Sequence, residues 1–206
     1  MRKLTSASLL ALSMALATAA SAAPATWTID QNHSEVGFSI RHIFSKVPGN
    51  FGKFQGTIVY DAQNPENSNV KVEIDASSIN TRNEKRDNHL RSEDFFDVAK
   101  FPTLAFVSTK VVAAGDNKLK VDGNLTMHGV TKPVTLFVTF LGAGPTMNGE
   151  QRSGFEGITT LNRKDFGIVW NKTLDQGGTM LGDDVNIHLS VEGVIRPDQP
   201  ASPPKS

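Results

Sequence analysis

With 206 residues the chain is long enough for one domain with a sizeable core. Its 21 basic and 21 acidic residues balance; loss of Arg2 and Lys3 with the leader described next leaves 19 against 21, which argues against nucleic acid as a partner. Cysteine is absent, which excludes disulfides, zinc–thiolate sites, a thiol nucleophile and a lipidated cysteine.

The first residues carry a basic start (Arg2, Lys3), an apolar run from Leu9 to Ala20 and the small-residue pattern Ala20-Ser21-Ala22. This is the pattern of a cleavable secretory signal, residues 1–22, and it is too short for a comfortable membrane span. The expectation is a periplasmic protein without a transmembrane anchor in its mature form. Residues 23–196 then form the domain, and the proline-rich tail 197–206 (PDQPASPPKS, with Arg196 before it) reads as disordered.

Within the domain apolar and polar residues alternate, as half-buried strands require. Val36, Phe38 and Ile40 alternate with charged and polar neighbours, as do Val70, Val72 and Ile74. Further on, Leu119, Val121, Gly123, Leu125 and Met127 share one face, and Val185, Ile187, Leu189 and Val191 another. Turn signals separate them, including Asn64-Pro65, Gly115-Asp116-Asn117, His128-Gly129 and Asn148-Gly149. The expected fold is all-β: an antiparallel sheet with strands long enough to curl into a barrel of about eight strands.

One segment breaks the alternation. Residues 82–97 read as a short helical insertion, with Thr81 to Glu84 as a capping box and Asp87 and Arg91 placed to pair four residues apart. Ser92 is placed to cap a second short turn, and Phe101-Pro102 ends anything helical.

The segment's charges invite a catalytic or metal reading. His89 and Glu93 stand at i and i+4, but two ligands are too few, so neither a metal nor another cofactor is expected. Its acidic residues sit among Arg82, Lys85, Arg86 and Arg91, the pattern of surface ion pairs. A secreted serine hydrolase or protease using Asp30, His33 and Ser45 is the enzymatic alternative, although no G-x-S-x-G elbow is present. The many phenylalanines read as core filling, with Gly123 making room inside a closed sheet for one slim apolar ligand.

Several ordered strings resemble the YceI family of exported polyisoprenoid-binding proteins. They include Asp30…His33-Ser34, Ser45-x-Val47-x-Gly49-x-Phe51-x-x-Phe54-x-Gly56, and Asn83-x-x-Arg86-Asp87-x-His89-Leu90-Arg91-Ser92-x-Asp94-Phe95-Phe96. Lys100-Phe101-Pro102, Gly123-Asn124-Leu125-Thr126, Arg163-x-Asp165-Phe166-Gly167 and Trp170-Asn171 before Gly177-Gly178 continue the likeness, which runs from about Trp27 to Ile195.

The resemblance implies a lipocalin-like barrel whose apolar cavity holds a long-chain isoprenoid or quinone-like lipid, in a binding or carrier protein of the periplasm, with a role in stress response and no enzymatic activity. Phe38, Ile40, Phe54, Val72, Ile74, Phe96, Phe106, Leu136, Val138 and Phe155 are the expected cavity lining, and His33, Arg86 and Arg91 are candidate head-group contacts. A homodimer through a strand edge or the barrel mouth is a further expectation, by analogy alone.

Overall fold

The structure, a computed structural model, describes residues 24–175 and 177–195. The expected signal peptide and the proline-rich tail lie outside the described residues, as do the expected domain ends at 23 and 196.

Eleven strands make up one sheet among the described residues: β1 (Ala25–Ile29), β2 (Glu35–His42), β3 (Ser45–Phe51), β4 (Phe54–Tyr60), β5 (Asn69–Asp75), β6 (Ile79–Asn80), β7 (Thr103–Ala113), β8 (Lys118–Met127), β9 (Val130–Pro145), β10 (Gln151–Asn162) and β11 (Leu181–Ile195). Helix α1 (Glu84–Arg91) lies between β6 and β7. The order β1-β4-β5-β7-β8-β9-β10-β11 closes through a β1–β11 pairing, so eight strands form an antiparallel barrel and β2, β3 and β6 extend it.

Strand β11 makes closure possible. Its first part, Leu181 to Ser190, pairs with β2, while Gly193 and Val194 pair with β1. One long strand therefore serves two partners in succession, and the sheet has no free edge at this seam. Between β8 and β9 the two-residue turn His128-Gly129 has both φ angles positive, 52° and 73°, the backbone that lets two twisted strands reverse at once.

The barrel has two ends. Residues 43–44 (the β2–β3 turn), 128–129, 163–175 and 177–180 gather with α1 at one end, where His128 Nδ1 and the Phe166 carbonyl are 3.0 Å apart. The turns after β7 and β9 lie at the other, where the Phe140 N–H donates to the Asn117 carbonyl.

Two local expectations at the helix change. The helix cap is Asn83, whose side chain accepts from the Arg86 N–H, and not Thr81. Asp87 does not pair with Arg91: it is buried and accepts from both the backbone N–H and the hydroxyl of Thr81. Arg91 instead donates to the carbonyls of Ser77 and Ile79 at 2.7 and 2.9 Å. Burial of Asp87 fixes the rotation of the helix, and the two guanidinium bonds then tie it to the chain entering and leaving β6.

Gly123 faces inward as expected, but its space is already taken. A Cβ there would lie 2.4 Å from the Phe106 ring, so this glycine accommodates a core aromatic ring and leaves no extra room for a ligand.

Candidate functional site: an apolar cavity in the barrel

On β7 and β8, Leu104, Phe106, Val111, Leu119, Val121 and Met127 line the barrel interior and are all buried. Across the barrel, Leu136 and Val138 on β9 and Ile187, Leu189 and Val191 on β11 also line the interior, yet each is only half-buried. They face a cavity of about 600 Å³, within the usual range for small-ligand sites. The barrel is hollow because the inward side chains of these facing strands do not meet across it.

All ten apolar residues expected to line the cavity do so. At the end away from α1, Tyr60, Phe140 and Phe155 form a ring cluster, with Tyr60 4.7 Å from Phe140 and 5.6 Å from Phe155 between centroids. Tyr60 has its hydroxyl pKa raised, chiefly by burial, so it remains a neutral group at that wall.

Most of the polar lining lies at the α1 end. Thr81, Asn83, Lys85, Arg86 and His89 line the cavity there, joined by His42 from the end of β2. Asn83 and Lys85 are exposed, so the cavity meets the surface among them.

Two of the expected head-group contacts lie elsewhere. Arg91 is turned toward Ser77 and Ile79, and His33 sits on the outside of the barrel. Arg86 does line the mouth, but its Nε donates to the Thr81 hydroxyl at 2.7 Å and one Nη to the Thr81 carbonyl at 2.8 Å. Much of its donor capacity is thus already used in holding the segment before α1.

An aromatic group that the sequence reading did not assemble closes this end. His89, Phe95 and Trp170 all line the cavity; His89 meets both other rings edge-on, at 5.0 Å from Phe95 and 4.9 Å from Trp170. Trp170 lies 81 positions after His89, and no local pattern links them. Its loop is set by buried Arg163, which donates to the carbonyls of Ile168 and Trp170 at 2.8 Å each and to that of Gly182 at 3.0 Å. Burial pulls the Arg163 pKa down and Asp183, 3.3 Å away, opposes the shift.

The proposed hydrolase constellation is not assembled. Asp30 Oδ2 lies 2.9 Å from His33 Nδ1, but the Ser45 hydroxyl donates to the His42 carbonyl at the far end of β2. An eight-residue strand spans about 25 Å and separates the serine from the base.

Glu192 joins Asp30 and His33 in a cluster whose donor atoms lie within 4.8 Å of one another, an arrangement with the chemistry of a metal site. A guanidinium already occupies it. One Nη of Arg152 is 3.0 Å from Asp30 and also contacts Glu192, and the other is 2.9 Å from Glu150. The Asp30 carboxyl is held below its ordinary pKa chiefly by the His33 hydrogen bond, with the Asn32 N–H and Arg152 helping against burial. This cluster joins β10 and β11 to the segment after β1, so its evident work is to secure the seam.

A closed antiparallel barrel around an apolar hollow, opening at a polar rim, has the architecture of a lipocalin-like binding protein. The model of the YceI-like domain matches residues 27–193. A UPF0312 protein of Pseudomonas paraeruginosa is 44% identical over 188 residues, covering 90% of this chain and 95% of the relative. The crystal structure of a Campylobacter jejuni YceI protein is similar at a TM-score of 0.66 and 32% identity, covering 81% of this chain and 96% of that one. A polyisoprenoid-binding domain from Saccharophagus degradans shares the fold at a TM-score of 0.60 and 13% identity, covering 82% and 98%. The chain belongs to the YceI-like family.

Proposed function

We propose that the protein is an exported, periplasmic carrier that holds a long-chain polyisoprenoid or a quinone-like lipid in its barrel. The apolar cavity of about 600 Å³ carries this reading. The shared fold with the polyisoprenoid-binding domain of Saccharophagus degradans supports the ligand class, and the leader pattern ending at Ala22 supports export. The tail points toward Tyr60 and Phe155, with the polar group among Asn83, Lys85 and His89. Each buried CH₂ contributes about 0.8 kcal/mol, so ten of them supply about 8 kcal/mol, comparable with the lower part of the cost of association.

Titration with a series of prenyl alcohols of increasing length tests the reading. Affinity is expected to rise by about fourfold per added buried CH₂ and to level off once the cavity is full. Affinity independent of chain length would contradict it.

A further inference from the structure

We propose that the α1 end of the barrel docks on an anionic phospholipid bilayer, with the tip of the β2–β3 hairpin as the inserting element. The proposal rests on the carrier reading, since a water-insoluble ligand has to enter or leave through a lipid phase. The hairpin tip reads Arg41-His42-Ile43-Phe44-Ser45-Lys46, with no acidic residue among the six. Phe44 is fully exposed at 101% relative accessibility, and Ile43 before it holds a φ of 51°, a costly backbone for a β-branched residue. Folding gains nothing from Phe44 in this position, and a local strain is accepted to present it.

The tip belongs to the cavity rim. His42 at its base and Met180 opposite both line the cavity. The Ile43 N–H donates to the Met180 carbonyl at 2.9 Å, and the Met180 N–H to the Lys172 carbonyl at 2.9 Å, so the hairpin is stitched to the loop after Trp170. Val169, just before Trp170, is 63% exposed, and the loop adds the exposed Lys172. Its neighbour Asp183 is engaged by Arg163 and Lys164, and Asp175 is the acidic residue of the loop itself.

Single exposed apolar residues are common and mean little. Here two stand at one rim, flanked by Arg41, Lys46 and Lys172, and directly beside the opening of an apolar cavity. An aromatic tip between cations suits the boundary between head groups and acyl chains, and the basic flanks are complementary to anionic lipid.

The test is co-sedimentation of the full mature protein, both lipid-free and prenyl-loaded, with vesicles of phosphatidylglycerol and phosphatidylethanolamine, and with phosphatidylcholine vesicles as the neutral comparison. Wild type is expected to bind the anionic vesicles preferentially. Phe44→Asp should weaken that binding by about tenfold or more, and Lys46→Glu by about fivefold or more, an effect that high salt erases. Met147→Asp, at an equally exposed apolar position on the opposite end, should change nothing. Neither Phe44 nor Met147 is packed, so both variants are expected to fold, which circular dichroism checks. Absent binding to anionic vesicles, an equal loss in Met147→Asp, or vesicle-free self-association that Phe44→Asp abolishes would each overturn the proposal. Uptake of prenyl lipid without vesicle binding overturns docking alone, whereas vesicle binding without any lipid uptake overturns the carrier reading on which it rests.

Discussion

His89 on α1 meets Trp170 edge-on at 4.9 Å between ring centroids, joining the helix to the loop that follows β10 across the end of the barrel. Phe95 completes the cluster at 5.2 Å from Trp170. Because all three rings line the cavity, helix position and cavity closure are one physical event. Trp170→Ala should therefore destabilise the protein by about 2–3 kcal/mol, from lost burial and ring pairing. Hydrogen exchange checks it: protection should fall in residues 84–91 and stay unchanged in β8.

The helix depends equally on a bond to the segment before it. Thr81 and Asp87 are both buried, and the Asp87 carboxylate satisfies the Thr81 N–H and hydroxyl together. Asp87→Ala strands both donors and should cost about 2–4 kcal/mol. Urea denaturation should show a lower midpoint with unchanged slope.

Acid should weaken the fold through a set of aspartates. Asp61 is held below its ordinary pKa chiefly by the Asn64 N–H, Asp75 by the Ser77 hydroxyl, Asp122 by the Thr135 hydroxyl and Asp183 by Lys164. Asp30 behaves likewise through His33. A depressed folded pKa gives stability that is complete above the unfolded value and is lost as pH falls through the folded one. The urea midpoint should thus hold its aspartate contribution down to about pH 4 and fall below it. Asp61→Asn should flatten that acid slope and cost more stability at pH 7 than at pH 3.

The cavity can be filled from its half-buried wall. Leu136 lines it without full packing, so Leu136→Trp has space to enter and should change the melting temperature little. Lipid retained through purification should drop about tenfold or more relative to wild type. Extraction into organic solvent followed by mass analysis measures the difference.

Much of the barrel was legible in the chain because alternation marks each strand's inner face: β8 keeps it in its burial, and Val36, Phe38 and Ile40 of β2 and Val185, Ile187, Leu189 and Val191 of β11 all face the cavity. Alternation cannot say whether inward residues meet, which depends on strand number and closure; hence Leu136 and Leu119 read alike and both line the cavity, yet Leu119 is buried and Leu136 only half-buried. At the helix, the capping-box pattern pointed to Thr81, but Thr81 is bonded to buried Asp87 and Asn83 caps instead. Asp30 and His33 lie three apart and were visible together, whereas Arg152 and Glu192 arrive only through pairing of β10 with β11. Ser45 looked near His33 along the chain, but the strand between them carries it to the other end of the barrel.

Native mass spectrometry of the protein purified from its own cells tests the central claim most directly. The account predicts an adduct of several hundred daltons that extracts into organic solvent, is absent from Leu136→Trp and is restored to stripped wild type by added prenyl lipid. Protein that is repeatedly empty and takes up no prenyl lipid would contradict it.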